Sequence, residues 1–280
     1  NDTGDISAIV GGVGEKPGSL TLSRATQSLL SPGSVIKPLA VYGPALNAGL
    51  ITPATVYDDT PFTFGDEAWP KNEDDVYHGL TNVLDAVKRS TNTIPVKILD
   101  ELGLDYAYSY AYNEMGLDTL VDQYELNGVE YTDKSYWSLA LGGMVRGVTI
   151  RDLAAAYAAI ENGGVYRTAR TYTKVLDSEG NLVLDNTQSS RTVLSEKAAY
   201  YLTYMMEETV KDGTGVEAQI EGISVAGKTG TTSDDKDRWF AGYTPGHTAV
   251  VWCGYDQPQE IVLQDESIDN PAAVLWNKVM

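Results

Sequence analysis

Three apolar runs in the C-terminal part of the chain, residues 223–231, 239–243 and 248–255, follow one another with only short turns between them. Parallel neighbours need a crossover of a dozen or more residues, usually helical, so connections this short restrict the stretch to an antiparallel meander. Everything upstream has to be compatible with that sheet. The middle of the chain reads mainly as helices, so the fold class is α/β: an antiparallel central sheet flanked by helices, with a helical subdomain. Residues 5–10 alternate and then meet Gly11-Gly12, which reads as a strand entering a turn and implies a sheet closed by both termini.

The remaining elements follow from start and stop signals. Residues 33–48 read as a helix closed by Gly49 and Pro53. Residues 51–79 are rich in Asp, Pro and Gly and are too long for a mere connector, so they are expected to cover something. A helix is expected over 80–89, with Thr81 as its cap. Another spans 94–102, with Pro95 in its first turn and Gly103 at its end. Residues 106–116 form a Tyr-rich helical stretch, and 150–162 an Ala-rich helix closed by Gly163-Gly164. A hairpin over 170–185 turns at Asp177-Ser178-Glu179-Gly180, a long helix spans 195–211, and Pro271 opens a final helix. At 280 residues the chain is long enough to bury a sizeable core and fits one large domain or two unequal lobes.

Composition narrows the function. Lys plus Arg number 20 against 39 Asp plus Glu, a net charge of -19, so the surface repels phosphate backbones and anionic lipid, and nucleic acid is not an expected partner. Recognition of a carboxylate must rest on a few local cations. The single cysteine, Cys253, lies in an apolar run and reads as a strand residue without chemistry; alone it makes no intramolecular disulfide and no Cys-rich zinc site. Only His78 and His247 are present, and no Gly-x-Ser-x-Gly elbow, which disfavours a Ser-His-Asp hydrolase. The acidic stretches Asp234-Asp235-Lys236-Asp237 and Glu73-Asp74-Asp75 lack ligand spacing, so no metal or other cofactor is expected. No apolar stretch is long enough for a membrane helix.

Three short motifs carry nucleophilic chemistry. In Ser34-Val35-Ile36-Lys37 the serine and lysine are three apart and share a helix face. A lysine there takes the serine proton if burial or a neighbouring cation lowers its pKa. Pro38 is tolerated only near a helix start, which places Ser34 at the N-terminus, where free N–H groups and the dipole favour negative charge. Ser90-Thr91-Asn92 falls between two helices, so its hydroxyl can relay a proton and its amide can hold a peptide. Lys228-Thr229-Gly230, continued by Thr231, lies at the end of a strand; Gly230 lets a ligand approach the backbone, and Lys228 and Thr231 are candidates to bind a carboxylate. Strict alternation puts Lys228 and Thr231 on opposite faces, and a bulge at Gly230 would reconcile them.

The three motifs stand in the order of the Ser-x-x-Lys, Ser-Asp-Asn and Lys-Thr-Gly signatures of penicillin-binding proteins and class A β-lactamases, with Thr91 where the second signature has Asp. Nearly the whole chain resembles the transpeptidase domain of class A, bifunctional penicillin-binding proteins. The resemblance runs through Ser23-Arg24-Ala25-Thr26-Gln27, Trp69-Pro70-Lys71-Asn72, Tyr77-His78-Gly79, Leu139-Ala140-Leu141-Gly142, Glu161-Asn162-Gly163-Gly164 and Asp237-Arg238-Trp239-Phe240-Ala241-Gly242-Tyr243. It implies Ser34 as nucleophile toward the penultimate D-alanine carbonyl, Lys37 as general base, Ser90 as proton relay, Asn92 as substrate holder and Lys228 as electrostatic partner. It also implies Thr229, Gly230 and Thr231 at the substrate carboxylate, and an oxyanion hole from the N–H groups of Ser34 and Thr231. Trp69 and Trp239 are candidate cleft walls.

Partners implied are peptidoglycan stem peptides (a D-Ala-D-Ala donor and an amine acceptor) and β-lactams. Residues 1–280 would form one transpeptidase domain of a membrane-anchored, extracytoplasmic parent, and be soluble themselves, with a glycosyltransferase domain and anchor outside this sequence. The competing readings are a serine β-lactamase, a D,D-carboxypeptidase and a non-catalytic penicillin sensor. No carboxylate motif that would activate water is evident after the second signature.

Overall fold

A computed structural model describes residues 1–16, 18–64, 67–265 and 267–280. Its longer helices are α1 (Val83–Arg89), α2 (Thr93–Leu102), α3 (Ile150–Glu161), α4 (Glu196–Asp212) and α5 (Pro271–Val279). The meander is present as β1 (Ala226–Thr231), β2 (Asp237–Thr244) and β3 (His247–Gly254), antiparallel in the order β1-β2-β3. Among the described residues the sheet is not closed by the N-terminus. Asp5 makes only an isolated bridge to Arg170, and Ile9 and Val10 stay exposed, so the alternation of residues 5–10 has no apolar layer to pack on. No helix among the described residues is long and apolar enough to cross a membrane.

The two faces of the sheet bury different partners, as a period of two requires. Ala226, Trp239, Ala241 and Tyr243 point into the large helical core with Val35, Leu39, Tyr157, Leu202 and Met205. Phe240 points the other way, into a smaller cluster with Val210, Ala218, Ala272, Ala273 and Trp276. Its ring meets Trp276 edge-on at 5.1 Å, and the flanking Gly227 and Gly242 leave it room: a Cβ at Gly242 would lie 2.7 Å from the ring. Phe240→Ala empties this second core, and a loss of about 3–5 kcal/mol in urea unfolding is expected.

Local side chains cap two of the long helices. Ser195 Oγ accepts from the Ala198 N–H at the start of α4, and Asn270 Oδ1 accepts from the N–H groups of Ala272 and Ala273 at the start of α5. The expected helix over 80–89 is shorter. Residues Gly79–Asn82 form a strand paired with Val56–Asp59, and Asn82, not Thr81, caps α1 through the Asp85 N–H. Cys253 sits half-buried in β3, and burial pushes its thiol up. The helix over 33–48 is distorted rather than uniform: a 3-10 turn (Gly33–Ile36), a π segment (Pro38–Tyr42) and a short α segment (Gly43–Asn47). Pro38 has no N–H to give, and the ladder resumes when the Gly43 N–H reaches the Pro38 carbonyl.

Candidate active site

The nucleophile segment is held by backbone contacts that only glycine permits. Gly33 adopts φ +54, and a Cβ there would sit 2.5 Å from the Thr231 carbonyl oxygen. Gly142, at φ +78, caps the helix Tyr136–Leu141, and a Cβ on it would run into the Gly33 carbonyl. Gly230 lies on the opposite side, where a Cβ would be 2.7 Å from the Pro32 carbonyl oxygen. On this face, what exploits the missing side chain of Gly230 is the chain's own Pro32, not a ligand. The buried Tyr157 hydroxyl, reaching across from α3, donates to the Val35 carbonyl at 2.7 Å. Gly142→Ala combines left-handed backbone strain with this clash. It is expected to slow labelling by a fluorescent penicillin roughly 100-fold, the scale of an ångström's misplacement at a reacting atom.

Ser34, the second residue of the 3-10 turn, is partly exposed, whereas Lys37 is wholly buried. Lys37 Nζ donates to the carbonyls of Ser90 and Thr91 at 3.0 and 2.8 Å and to Asn92 Oδ1 at 2.7 Å. The first two motifs are therefore stitched together through one amine. Ser90 can offer its carbonyl because it ends α1 in the left-handed conformation, φ 58, which turns the chain back on itself before α2.

Lys228 is the second wholly buried lysine. Its Nζ has one hydrogen-bond acceptor among the described residues, the Thr229 carbonyl at 3.2 Å. Neither lysine pairs with a carboxylate among the described residues. Burial, and then the positive charge of Lys228, hold Lys37 well below its ordinary 10.5, while the more distant Glu73 opposes them. Burial brings Lys228 down to about 7, again opposed by Glu73. Two buried amines that interact electrostatically thus disfavour both carrying a proton at once.

The register of β1 against β2 is unbroken from Ala226↔Tyr243 to Thr231↔Arg238, so the bulge expected at Gly230 does not exist. Lys228 and Thr231 stay on opposite faces. Lys228 and Gly230 turn toward the nucleophile segment, and Thr229 and Thr231 share the other face. Thr229 Oγ1 hydrogen-bonds Thr214 Oγ1 at 2.7 Å, and Thr231 Oγ1 accepts from Arg238 at 3.2 Å. Among the described residues strand β1 is an edge of its sheet, buried except at Thr231. Trp239 is not a cleft wall. It is fully buried, and its indole N–H donates to the Ser31 carbonyl at 3.0 Å, so it braces the nucleophile segment from below. Trp69 stacks instead on the half-exposed Trp137, with ring centroids 5.9 Å apart.

Sequence reasoning gave no role to Gly142, Tyr157, Thr214 or Glu73, all of which touch or bias this site. Gly142 and Tyr157 (in Ala154-Ala155-Ala156-Tyr157) lay in stretches that resemble the family but had no role of their own, and all four depend on contacts distant in sequence.

The comparisons with known proteins agree with the geometry. A family model described as the penicillin binding protein transpeptidase domain matches residues 1–277. The chain belongs to that family. Penicillin-binding protein 1A of Clostridium acetobutylicum is 38% identical over 290 residues, which cover 99% of this chain and 34% of that protein. Penicillin-binding protein 1F of Bacillus subtilis is 34% identical over 266 residues, 93% of this chain and 35% of that protein. The transpeptidase domain thus spans about a third of the length of the curated relatives it matches. Among solved structures, the PonA1 protein of Mycobacterium tuberculosis in complex with penicillin V superposes with TM-score 0.75 at 24% identity, over 94% of this chain and 70% of that one. The D,D-transpeptidase domain of a peptidoglycan glycosyltransferase from Eggerthella lenta superposes with TM-score 0.71 at 24% identity, over 94% and 67%. These likenesses establish the penicillin-binding fold.

Proposed function

We propose that the domain is the serine D,D-transpeptidase unit of a class A penicillin-binding protein. It would cross-link peptidoglycan stem peptides through an acyl-Ser34 intermediate and be trapped by β-lactams. The observation that carries this reading is the buried Lys37 amine, three residues from Ser34, tied to all three residues of the second motif and facing Lys228.

In this reading Ser34 Oγ attacks the penultimate D-alanine carbonyl and its proton passes to the neutral Lys37 amine. The three oxygen acceptors around Nζ stabilise the ammonium that forms, while burial keeps the neutral form within reach beforehand. The carbonyl oxygen becomes an oxyanion facing the N–H groups of Ser34 and Thr231, whose backbones the Gly33 contact holds side by side. When the C–N bond breaks, the departing D-alanine amine takes a proton delivered from Lys37 through the Ser90 hydroxyl. The acceptor amine then attacks the ester, forms the new amide bond, and returns a proton to Ser34 Oγ. The Thr229–Thr231 face of the edge strand would bind the donor's terminal carboxylate, Lys228 on the opposite face would act electrostatically on Lys37, and Asn92 would orient the donor's peptide. A β-lactam follows the same first step, but its leaving nitrogen stays tethered. The parent protein would act outside the cytoplasm on a membrane anchor.

The test is product analysis with a D-Ala-D-Ala-terminated stem peptide and an amine acceptor. Transfer to the amine in excess of hydrolysis is expected, and Ser34→Ala is expected to remove both products while unfolding within about 0.5 kcal/mol of the wild type. Hydrolysis alone would replace the transpeptidase reading with a carboxypeptidase.

A further inference from the structure

The segment over residues 51–79 reaches the second motif through Asn72 and Lys71. Asp59, at the end of its strand Val56–Asp59, is a fully buried carboxylate with no lysine or arginine beside it among the described residues. Its oxygens accept from Asn72 Nδ2 at 2.9 and 3.0 Å, from the His78 N–H at 2.9 Å and from the Thr93 hydroxyl, and His78 Nδ1 lies 3.0 Å away. Burial raises its pKa, but these hydrogen bonds outweigh burial and hold it below the ordinary carboxylate value, so it is an anion that only accepts.

That polarity propagates. An ionised carboxylate forces Asn72 to present its NH2 group, which also donates to the Val76 carbonyl at 2.8 Å. The other end of the same amide, Oδ1, therefore faces away and accepts the backbone N–H of Asn92 at 2.8 Å. The next main-chain carbonyl back, Lys71 O, accepts Asn92 Nδ2 at 2.8 Å, which leaves Asn92 Oδ1 no choice but to face Lys37 Nζ. Each amide in the chain has one orientation because the anion at its far end has one. Asn72 itself is 5% exposed, too deep to be a substrate ligand.

We propose that Asn72, oriented by Asp59, is a positioning residue for acyl transfer: it holds Asn92 in the pose that presents a carbonyl oxygen to the Lys37 amine. This rests on Ser34 being the acylated nucleophile and Lys37 its base. The groups that bias Lys37 are Asn92 and the Ser90 and Thr91 carbonyls as acceptors, Lys228 as the facing cation, and Glu73 as the more distant anion. Loosening Asn92 removes one acceptor from the ammonium form and so moves the proton affinity of Lys37 downward.

The experiment is the second-order rate of acylation by a penicillin, followed by stopped-flow fluorescence across pH, for the wild type, Asn72→Ala and Asp59→Asn. Expected are a rate loss of roughly 10- to 100-fold in Asn72→Ala and a shift of the rising limb of its pH profile to lower pH. Asp59→Asn, which keeps the shape but frees the polarity of the Asn72 amide, is expected to shift the limb in the same direction with a smaller loss. If Asn72→Ala does not give a cooperative melt, Asp59→Asn alone decides the matter. A folded variant with the wild-type rate and limb would overturn the proposal, as would a rate loss with an unmoved limb that disappears on cooling, which marks a purely structural role. A wild type that is not acylated at Ser34 would sink the transpeptidase reading itself, a result distinguishable from either.

Discussion

Lys37→Met is expected to lower the rate of acylation by a penicillin by about 10²–10⁴-fold, the usual worth of a positioned general base, and to destabilise the domain as well. The first effect follows from removing the amine that takes the Ser34 proton. The second follows from the three oxygens around it. Methionine fills the volume but donates nothing, so the Ser90 and Thr91 carbonyls and Asn92 Oδ1 lose their common partner inside the protein. Each buried acceptor left unsatisfied costs about 1–3 kcal/mol. Stopped-flow acylation and urea unfolding of the same preparation separate the two effects. A variant that keeps the wild-type rate would remove Lys37 from the mechanism.

Lys228→Met is expected to act in the opposite sense on stability. Here the buried amine has one acceptor, the Thr229 carbonyl, and its pKa is already depressed to about 7. At neutral pH the fold carries a desolvation cost on the order of 4 kcal/mol for this one side chain, by the conversion of 1.36 kcal/mol for each tenfold change in proton affinity. Methionine is wholly buried without that cost, so the variant gains stability as it loses turnover, the trade expected when a site holds an unpaired charge for catalysis. The pH dependence has a definite sign. The unfolded chain keeps the Lys228 proton up to about 10.5 and the folded chain releases it near 7. Between those values the unfolded state is richer in protons, so raising the pH stabilises the wild type. The advantage of Lys228→Met is therefore full below pH 7 and fades toward pH 10.5. Urea unfolding at pH 6, 8 and 10 reads this directly. A variant less stable than the wild type at pH 6 would show that Lys228 is better satisfied than its single hydrogen bond indicates.

How much of this was legible in the sequence divides by the range of the signal. The meander, the long helix ending at Asp212, the hairpin turning at Asp177 and the helix stop at Gly103 are local patterns, and the structure has them within a few residues. The three motifs were readable because each is a tetrapeptide or shorter with its own spacing rule, and Pro38 alone placed Ser34 at the start of a helical turn. One local signal was missed: the surface hairpin of Tyr124–Leu126 with Val129–Tyr131 turns at Asn127-Gly128, the pair a two-residue turn with positive φ at both positions favours. The other failures are contacts between segments far apart. The supposed bulge at Gly230 came from asking Lys228 and Thr231 to share one ligand. The regular strand instead gives Lys228 to the nucleophile side and pairs Thr229 with Thr231. Trp239 looked like a cleft aromatic because tryptophan often is one, and only its registry opposite Gly230 shows that it lies beneath the nucleophile segment. The link from Asp59 to Asn92 crosses 33 positions and becomes visible only when Asn72 is seen to bridge them.

The central claim is that Ser34 is the nucleophile of an acyl-transfer site, and the most direct measurement is intact-protein mass spectrometry after incubation with a penicillin, followed by peptide mapping. A persistent gain of one penicilloyl group, located on the peptide that contains Ser34 and absent from Ser34→Ala, is the expected result. An adduct on another residue, one that survives in Ser34→Ala, or none on a protein that melts cooperatively would contradict the account.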